Sequence, residues 1–118
     1  MHRARLQKHA KLLKAAEFDR VFDKSVRSSD RYFTVLARPN EQKHPRLGLA
    51  ISKRRVRLAV GRNRLKRLVR ENFRLTQQDN CADYVVMAGP QAARANNREL
   101  LSALEKHWKV LKEKCANF

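Results

Sequence analysis

The stretch from residue 52 to residue 74 combines helical hydrophobic spacing with dense positive charge. Its large apolar residues are separated by seven, four and four positions, with Leu68 beside them: Leu58, Leu65, Val69 and Phe73. Residues at these intervals lie on one side of an α-helix, so the pattern predicts a helix with one buried face. No strong cap marks its first residue, and we expect the helix to begin between Val56 and Asn63.

The opposite side of this helix is polar and basic. At about 100° per residue, four side chains cluster within roughly 60° of one another, away from the apolar stripe: Asn63, Arg67, Arg70 and Arg74. This row predicts contact with phosphate groups. Arg62 and Arg64 lie near the predicted N-terminus, where cations oppose the helix macrodipole. Their position is explained if they receive a phosphate together with exposed N–H groups, and Arg62, at the edge of the apolar stripe, needs a partner.

Three runs of β-forming residues predict strands, at 31–37, 46–52 and 83–88. Residues 28–30 predict a turn, and the polar connection 38–45, with two prolines, suits a long hairpin loop. A glycine and an alanine leave one face of the second strand small, so another backbone, of protein or nucleic acid, can approach closely. The third run lacks alternation, which is typical of a central strand covered on both faces.

Two further helices are predicted near the ends of the chain. The first begins at about Leu12. After the third strand a loop is expected up to Asn96, and Asn96 and Glu99 have the spacing of a capping box. The last helix then has the apolar stripe Leu100, Leu101, Leu104, Trp108 and Leu111, with the tryptophan as core anchor. This order of elements predicts an α/β sandwich whose sheet is covered on at least one side.

Phe18 and Phe22 lie four residues apart in the first predicted helix and therefore on one side of it. Two interpretations are open. Both rings can fill the core, or they can form a platform on which unpaired bases stack.

The whole chain of 118 residues suits one domain, 1–118, with a basic and flexible arm at 1–11. Its net charge of +17 destabilises a lone compact domain, which indicates a polyanionic partner. Nucleic acid is the first candidate, and an anionic membrane surface is the second. The membrane is disfavoured because no apolar run approaches the ~20 residues of a spanning helix, and the N-terminus lacks the apolar segment of a secretory signal.

Cys81 and Cys115 lack metal-site spacing and are interpreted as free thiols in a reducing cytosol.

Catalytic motifs are absent from the sequence. We expect the histidines to be exposed surface residues without an acid or cysteine at catalytic spacing: His2, His9, His44 and His107. There is no metal-ligand spacing, phosphate-binding loop or nucleophile elbow. The residues therefore favour a nucleic-acid-binding domain. RNA is preferred over DNA, because no helix-turn-helix, zinc finger or zipper is visible and a sheet with nearby aromatic residues suits irregular or single-stranded RNA.

Three segments, 46–54, 59–67 and 70–74, strongly resemble the bacterial ribonuclease P protein subunit family. The core of the resemblance is Arg62-Asn63-Arg64 followed by Lys66-Arg67, placed after a strand. The match extends from about Leu12 to Leu111.

The resemblance implies a small cytoplasmic protein that joins one large catalytic RNA and precursor tRNA. The RNA hydrolyses the phosphodiester that releases the 5′ leader of precursor tRNA, with Mg²⁺ held mainly by the RNA, so no residue of the protein is expected to be catalytic. The implied fold is an α/β (α+β) two-layer sandwich in the order helix-strands-helix-strand-helix, with a left-handed β-α-β crossover. That hand departs from the usual right-handed rule.

The resemblance also assigns site residues. The surface facing the catalytic RNA is expected to contain Lys53, Arg54, Arg62, Asn63, Arg64, Lys66, Arg67, Arg70 and Arg74. The leader of precursor tRNA is expected to contact Phe18 and Phe22. Some members carry a tyrosine where this chain has Leu36, and we expect Tyr32, on the opposite face, not to replace it.

Two other functions remain open at this point. The first is a ribosomal-type or RNA-chaperone basic protein with no role in cleavage. The second is an independent histidine nuclease, for which only His44 lies near the predicted strands. Neither a membrane nor DNA is expected as a partner.

Overall fold

A computed structural model describes residues 6–76 and 80–118. Within these ranges the strands are β1 (Val26–Ser29), β2 (Phe33–Pro39), β3 (Arg46–Leu49) and β4 (Ala82–Ala88). The α-helices are α1 (Ala15–Asp23), α2 (Ala59–Leu75), α3 (Pro90–Arg94) and α4 (Asn97–Cys115). None of these helices is long and apolar enough to cross a membrane.

The strands form one sheet in the order β1-β2-β4-β3. The pairs β1–β2 and β2–β4 are antiparallel, and β3–β4 is parallel. The predicted hairpin across 38–45 is therefore wrong, because β4 lies between the two strands that this loop connects. The most apolar strand occupies the centre of the sheet, where both of its faces are buried.

The turn predicted at 28–30 lies one or two residues too early. Residues 28 and 29 belong to β1, which pairs with β2. The chain reverses at Asp30, whose Oδ1 accepts hydrogen bonds from the backbone N–H groups of Tyr32 (2.8 Å) and Phe33 (2.9 Å). A short polar strand of this kind carries little sequence signal, because its stability comes from pairing rather than from its own propensity.

Helix α2 connects β3 to its parallel neighbour β4 and thus forms the predicted β-α-β unit. The mixed α+β fold that the resemblance implied is confirmed. The left hand of the crossover stays a prediction.

The main core lies between one face of the sheet and helices α2 and α4. Phe73, Tyr84 and Trp108 meet edge to face there, with ring centroids 5.5 to 5.6 Å apart. The Trp108 indole N–H donates to Oδ1 of the buried Asn72 at 2.6 Å, which satisfies both polar groups. The role of Trp108 as core anchor is confirmed.

Helix α1 covers part of the other face of the sheet. Val21 is fully buried there with Leu12 and Val85. The ring of Phe18 lies so close to Gly48 that a Cβ at this glycine would be 2.6 Å from its Cε1 atom. The small face of β3 therefore admits a protein helix, one of the two possibilities that the sequence left open.

Helix α1 begins at Ala15 rather than near Leu12. The carboxylate of Glu17 accepts hydrogen bonds at 2.9 Å from the N–H groups of Leu13 and Lys14 and so caps the first turn. Leu12 stays extended and donates its N–H to the carbonyl of Leu47 at 2.9 Å.

Residues 1–5 of the predicted basic arm, including His2, lie outside the described residues. The rest of the arm contains a short 3₁₀ helix, Lys8–Ala10, and Lys11 bridges to Leu47 at the edge of the sheet. The loop expected up to Asn96 contains the short helix α3, which Pro90 opens at its first position. The Oδ1 atom of Asn96 caps α4 by accepting the N–H of Glu99 at 2.9 Å, as predicted.

A buried carboxylate connects α1 and β3 to the centre of the sheet. Asp83, on β4, has no exposed surface, and Arg46 of β3 donates to both of its oxygens at 2.7 and 2.8 Å. The same guanidinium donates to Glu17 of α1 at 2.8 Å, and Asn40 donates to Asp83 at 2.7 Å. This network fixes the position of α1 and hence the aromatic residues on it.

Candidate nucleic-acid interface

Helix α2 presents its basic face outward, as the periodicity predicted. Leu65, Val69 and Phe73 are at most 3% exposed and face the core. On the opposite side Asn63, Arg67 and Arg70 are exposed and Arg74 is half-buried, and Lys66, on the flank of the helix, is also half-buried. The burial of the apolar stripe therefore fixes the helix so that its row of cations lies at the surface.

The prediction that Leu58 belongs to the buried stripe is wrong, because its side chain is 75% exposed. The helix begins at Ala59, and Leu58 has extended backbone angles (φ −84°, ψ 132°), so the helical phase does not apply to it. Val56, at 2% exposure, fills the core position instead.

Arg62 finds its partners within the chain. Its Nη1 atom donates to the carbonyl oxygens of Val56 and Arg57, both at 2.9 Å. These contacts hold the segment before α2 against the first turn of the helix. The guanidinium thus has a structural role, and its contact with RNA stays a prediction.

Arg64 also has partners within the chain. Its Nη2 atom donates to the carbonyl oxygen of Ala95 at 2.7 Å and to Oδ1 of Asn97 at 2.8 Å. It therefore joins α2 to the start of α4. By contrast, Lys53 and Arg54 are exposed in the turn before Val56.

A cleft of about 590 Å³ opens on the α1 side of the sheet. Phe22, 48% exposed, lines it together with residues of β2, β4 and the turn after β3, among them Leu36, Ser52, Arg55 and Met87. Phe18 is half-buried, packs against Gly48 and is not among the lining residues. Phe18 and Phe22, which the sequence groups as a pair, therefore have different surroundings.

Tyr32 lines the same cleft as Leu36. Tyr32 lies in the bend before β2, and its ring packs against the main core, whereas Leu36 packs on the α1 side of the sheet, so the expectation that Tyr32 faces away is confirmed. The Tyr32 hydroxyl donates to Glu99 at 2.7 Å, and this hydrogen bond raises the pKa of the tyrosine. Arg31 and Arg55 also line the cleft and were not singled out from the sequence, where arginines are too numerous to distinguish.

His107 is buried, which contradicts its predicted exposure. Its Nδ1 atom lies 2.6 Å from the Ser28 hydroxyl, and its Nε2 atom lies 2.9 Å from a carboxylate oxygen of Asp30. Burial lowers the pKa of His107, and the nearby Asp30 carboxylate only partly opposes this effect. The histidine thus links α4 to the β1–β2 turn.

His44, Cys81 and Cys115 are further titratable residues that the sequence singled out. His44 contacts the backbone carbonyl of His9 through its Nε2 atom at 2.7 Å, and the two rings are perpendicular. Cys81 and Cys115 are free thiols, and burial raises the pKa of Cys115. In residues 6–76 and 80–118, no three His, Cys, Asp or Glu side chains are grouped as ligands for a metal ion.

Comparisons with known proteins agree with the fold and with the family resemblance. The family described as Ribonuclease P matches residues 6–112. A relative from Methylococcus capsulatus, named "Ribonuclease P protein component", is 55% identical over 107 residues, which are 90% of this chain and 84% of that protein.

Two solved structures show the same architecture. A mutant of the RNase P protein of Staphylococcus aureus is 32% identical, with a TM-score of 0.83, and the match covers 89% of this chain and 90% of that one. The RNase P protein of Thermotoga maritima is 27% identical, with a TM-score of 0.71, and the match covers 94% and 97%. With a family match over almost the whole chain, the protein belongs to the ribonuclease P protein family.

Proposed function

We propose that this protein assists a catalytic RNA in removing the 5′ leader of precursor tRNA and that it does so with two surfaces. The exposed face of α2, with Lys53 and Arg54, contacts the catalytic RNA. The cleft beside α1 receives the leader, with Phe22 as a stacking surface for unpaired bases.

One observation supports this division above all others. The turn that follows β3 connects the cleft to α2, because Ser52 and Arg55 line the cleft, Lys53 and Arg54 between them are exposed, and α2 begins four residues after Arg55. A nucleic acid bound on α2 and a strand lying in the cleft are therefore close enough to belong to one complex.

The chemistry is assigned to the RNA. The described part of the chain does not fit a site where the protein alone holds Mg²⁺, since its possible ligands are not grouped. In the proposed complex the RNA holds Mg²⁺. The cations of the protein reduce the repulsion between crowded phosphates and so lower the Mg²⁺ concentration that the RNA needs. The expected location is the cytoplasm, with neither DNA nor a membrane as partner.

Reconstitution tests the proposal. The purified protein, freed of RNA, should not cleave precursor tRNA. Together with ribonuclease P RNA it should lower the Mg²⁺ requirement and favour precursor over mature tRNA. Cleavage by the protein alone would contradict the assignment of the chemistry to RNA. Co-purification from cells with ribosomes, rather than with one RNA, would favour the ribosomal-type alternative.

Two arginines of α2 provide a matched pair of variants. Arg67→Ala should weaken RNA binding and reduce the slope of log affinity against log salt by about one, with little effect on stability, because its side chain is exposed. Arg64→Ala should lower the free energy of unfolding by about 1 to 2 kcal/mol, because it removes the hydrogen bonds to Ala95 and Asn97. Titration with RNA at several salt concentrations and denaturant unfolding separate the two effects.

A further inference from the structure

Two large apolar side chains stand exposed at the N-terminus of the basic helix. Leu58 is 75% exposed and Val60 is 79% exposed, although Val56, just before them, is buried in the core. Scattered apolar residues at a surface need no explanation. These two need one because they are separated by a single residue and lie within the most basic part of the chain.

Neither local structure nor packing explains Leu58. It occupies the N-cap of α2 and makes no side-chain cap, at a position where Ser, Thr, Asp or Asn stabilises a helix by about 1 kcal/mol relative to an apolar residue. The core does not use it either, because Val56 fills the neighbouring buried position. Residues that violate local preferences without a structural gain are expected at functional sites.

Hydrogen bonds hold the backbone that carries Leu58 against the first turn of α2. The carbonyls of the two residues before it accept hydrogen bonds from Arg62, as described above, and its own carbonyl accepts the Arg62 N–H at 3.0 Å. The N–H of Val56 donates to the carbonyl of Ser52, also at 3.0 Å. Binding to such a pre-formed surface has a small conformational entropy cost.

The surrounding charge identifies the partner. Residues 42–70 contain no Asp or Glu, and the turn before Leu58 carries exposed basic residues: Lys53, Arg54, Arg55 and Arg57. A second copy of this chain would bring the same cations against one another. RNA instead offers both groups that this surface requires, since its phosphates pair with the cations and the faces of unpaired bases provide apolar area.

We propose that Leu58 and Val60 form an apolar contact with unpaired nucleotides of the RNA that binds α2. This inference rests on the proposed function, because it requires that the basic face of α2 binds RNA. The arginines hold the phosphate backbone, and each of the two apolar side chains covers a base or ribose that a double helix would hide. The contact favours irregular RNA over a regular duplex.

The test is the affinity of the full chain for in vitro transcribed ribonuclease P RNA, measured at several salt concentrations. Leu58→Ala and Val60→Ala should each weaken binding about fivefold, as expected for losing part of one buried aliphatic side chain. The salt slope should stay that of the unchanged protein, because no phosphate contact is removed. Leu75→Ala and Val110→Ala are matched controls, since both residues are also exposed, at 60% and 38%, and they should bind within twofold of the unchanged protein.

A regular RNA duplex provides the second measurement, and the Leu58 and Val60 variants should bind it as well as the unchanged protein does. If Leu58→Ala and Val60→Ala bind ribonuclease P RNA like the two controls, the inference is wrong. If these two variants instead abolish a dimer seen by sedimentation of the free protein, the molecule that contacts Leu58 and Val60 is a second copy of the chain, and the inference is also wrong. Failure of the proposed function looks different, because Arg67→Ala would then leave RNA affinity and the salt slope unchanged.

Discussion

At the scale of single residues, Phe18 and Phe22 have different surroundings despite their helical spacing. Phe22→Ala removes a ring that lines the cleft and is 48% exposed. We expect it to reduce the preference for precursor over mature tRNA, with less than about 0.5 kcal/mol lost in the free energy of unfolding. Phe18→Ala removes the half-buried ring over Gly48 and should cost about 2 kcal/mol.

Binding of precursor and mature tRNA to the reconstituted complex, together with denaturant unfolding of each variant, checks this pair. An equal loss of affinity for both tRNA forms in Phe22→Ala would remove Phe22 from the leader site.

His107 gives the protein a pH-dependent stability. Its pKa in the folded state lies below the ordinary value of 6.5, chiefly because the ring is buried. As the pH falls through 6.5, the histidine of the unfolded chain takes up a proton, whereas the buried ring of the folded protein does not. The contribution of His107 to the free energy of unfolding is therefore complete above pH 6.5 and decreases as the pH falls from 6.5 toward the folded pKa.

We expect the midpoint of urea unfolding to decrease between pH 7 and pH 5 in the unchanged protein. His107→Gln removes the titrating ring and should flatten this dependence, although its stability at pH 7 is lower because the contacts with Ser28 and Asp30 change. A pH dependence that is the same in both proteins would show that other groups cause it.

At the scale of elements, the approach of α1 to the sheet depends on Gly48. Gly48→Ala would place a Cβ 2.6 and 2.8 Å from ring atoms of Phe18 and 3.0 Å from Leu12. All of these atoms belong to packed side chains, so α1 must move. We expect a loss of about 1 to 3 kcal/mol in the free energy of unfolding and a weaker preference for precursor tRNA.

Gly61→Ala is the matched control for Gly48→Ala. Gly61 lies within α2, and an added Cβ would make only one ordinary contact, at 3.4 Å from Val56. Alanine is the better helix former by about 0.5 to 1 kcal/mol, so this variant should be slightly more stable. Thermal unfolding of both variants measures these opposite changes in stability. Destabilisation of similar size in both would mean that close approach at Gly48 is not the cause.

The sequence predicts those elements whose signal is local. The stripe Leu65, Val69 and Phe73 identified the buried face of α2, because helical periodicity is contained within one helix. The same rule failed for Leu58, since a periodic pattern does not show where a helix begins. The candidate RNA-binding residues on α2 followed from this periodicity and from the family signature.

Features that depend on contacts between distant residues could not be predicted in this way. The position of β4 between β2 and β3 depends on pairing across more than 30 residues, about which strand propensity says nothing. The burial of His107 depends on Ser28, which is 79 positions away. The roles of Arg62 and Arg64 as structural donors likewise depend on where backbone carbonyl groups lie in the folded chain, and the sequence does not show this.

At the scale of the whole molecule, the net charge of +17 makes the free protein respond to salt. The charges at the surface repel one another, and this repulsion lowers the stability of the compact state. Added NaCl shortens the Debye length from about 14 Å at 0.05 M to about 4 Å at 0.5 M and therefore screens the repulsion. The buried pair of Arg46 and Asp83 is screened far less.

We therefore expect the melting temperature of the RNA-free protein to rise by a few degrees between 0.05 and 0.5 M NaCl.

The stabilisation by ribonuclease P RNA should show the opposite dependence on salt. At a free RNA concentration 100 times the Kd, binding stabilises the folded protein by about 2.7 kcal/mol. Because affinity falls steeply with salt when phosphates are contacted, this added stability should decrease as NaCl is raised at a fixed RNA concentration. Melting curves of the free and RNA-bound protein should thus converge at high salt. A free protein that loses stability with salt would show that its ion pairs, rather than its net charge, dominate, and curves that stay apart at high salt would show that apolar contacts dominate RNA binding.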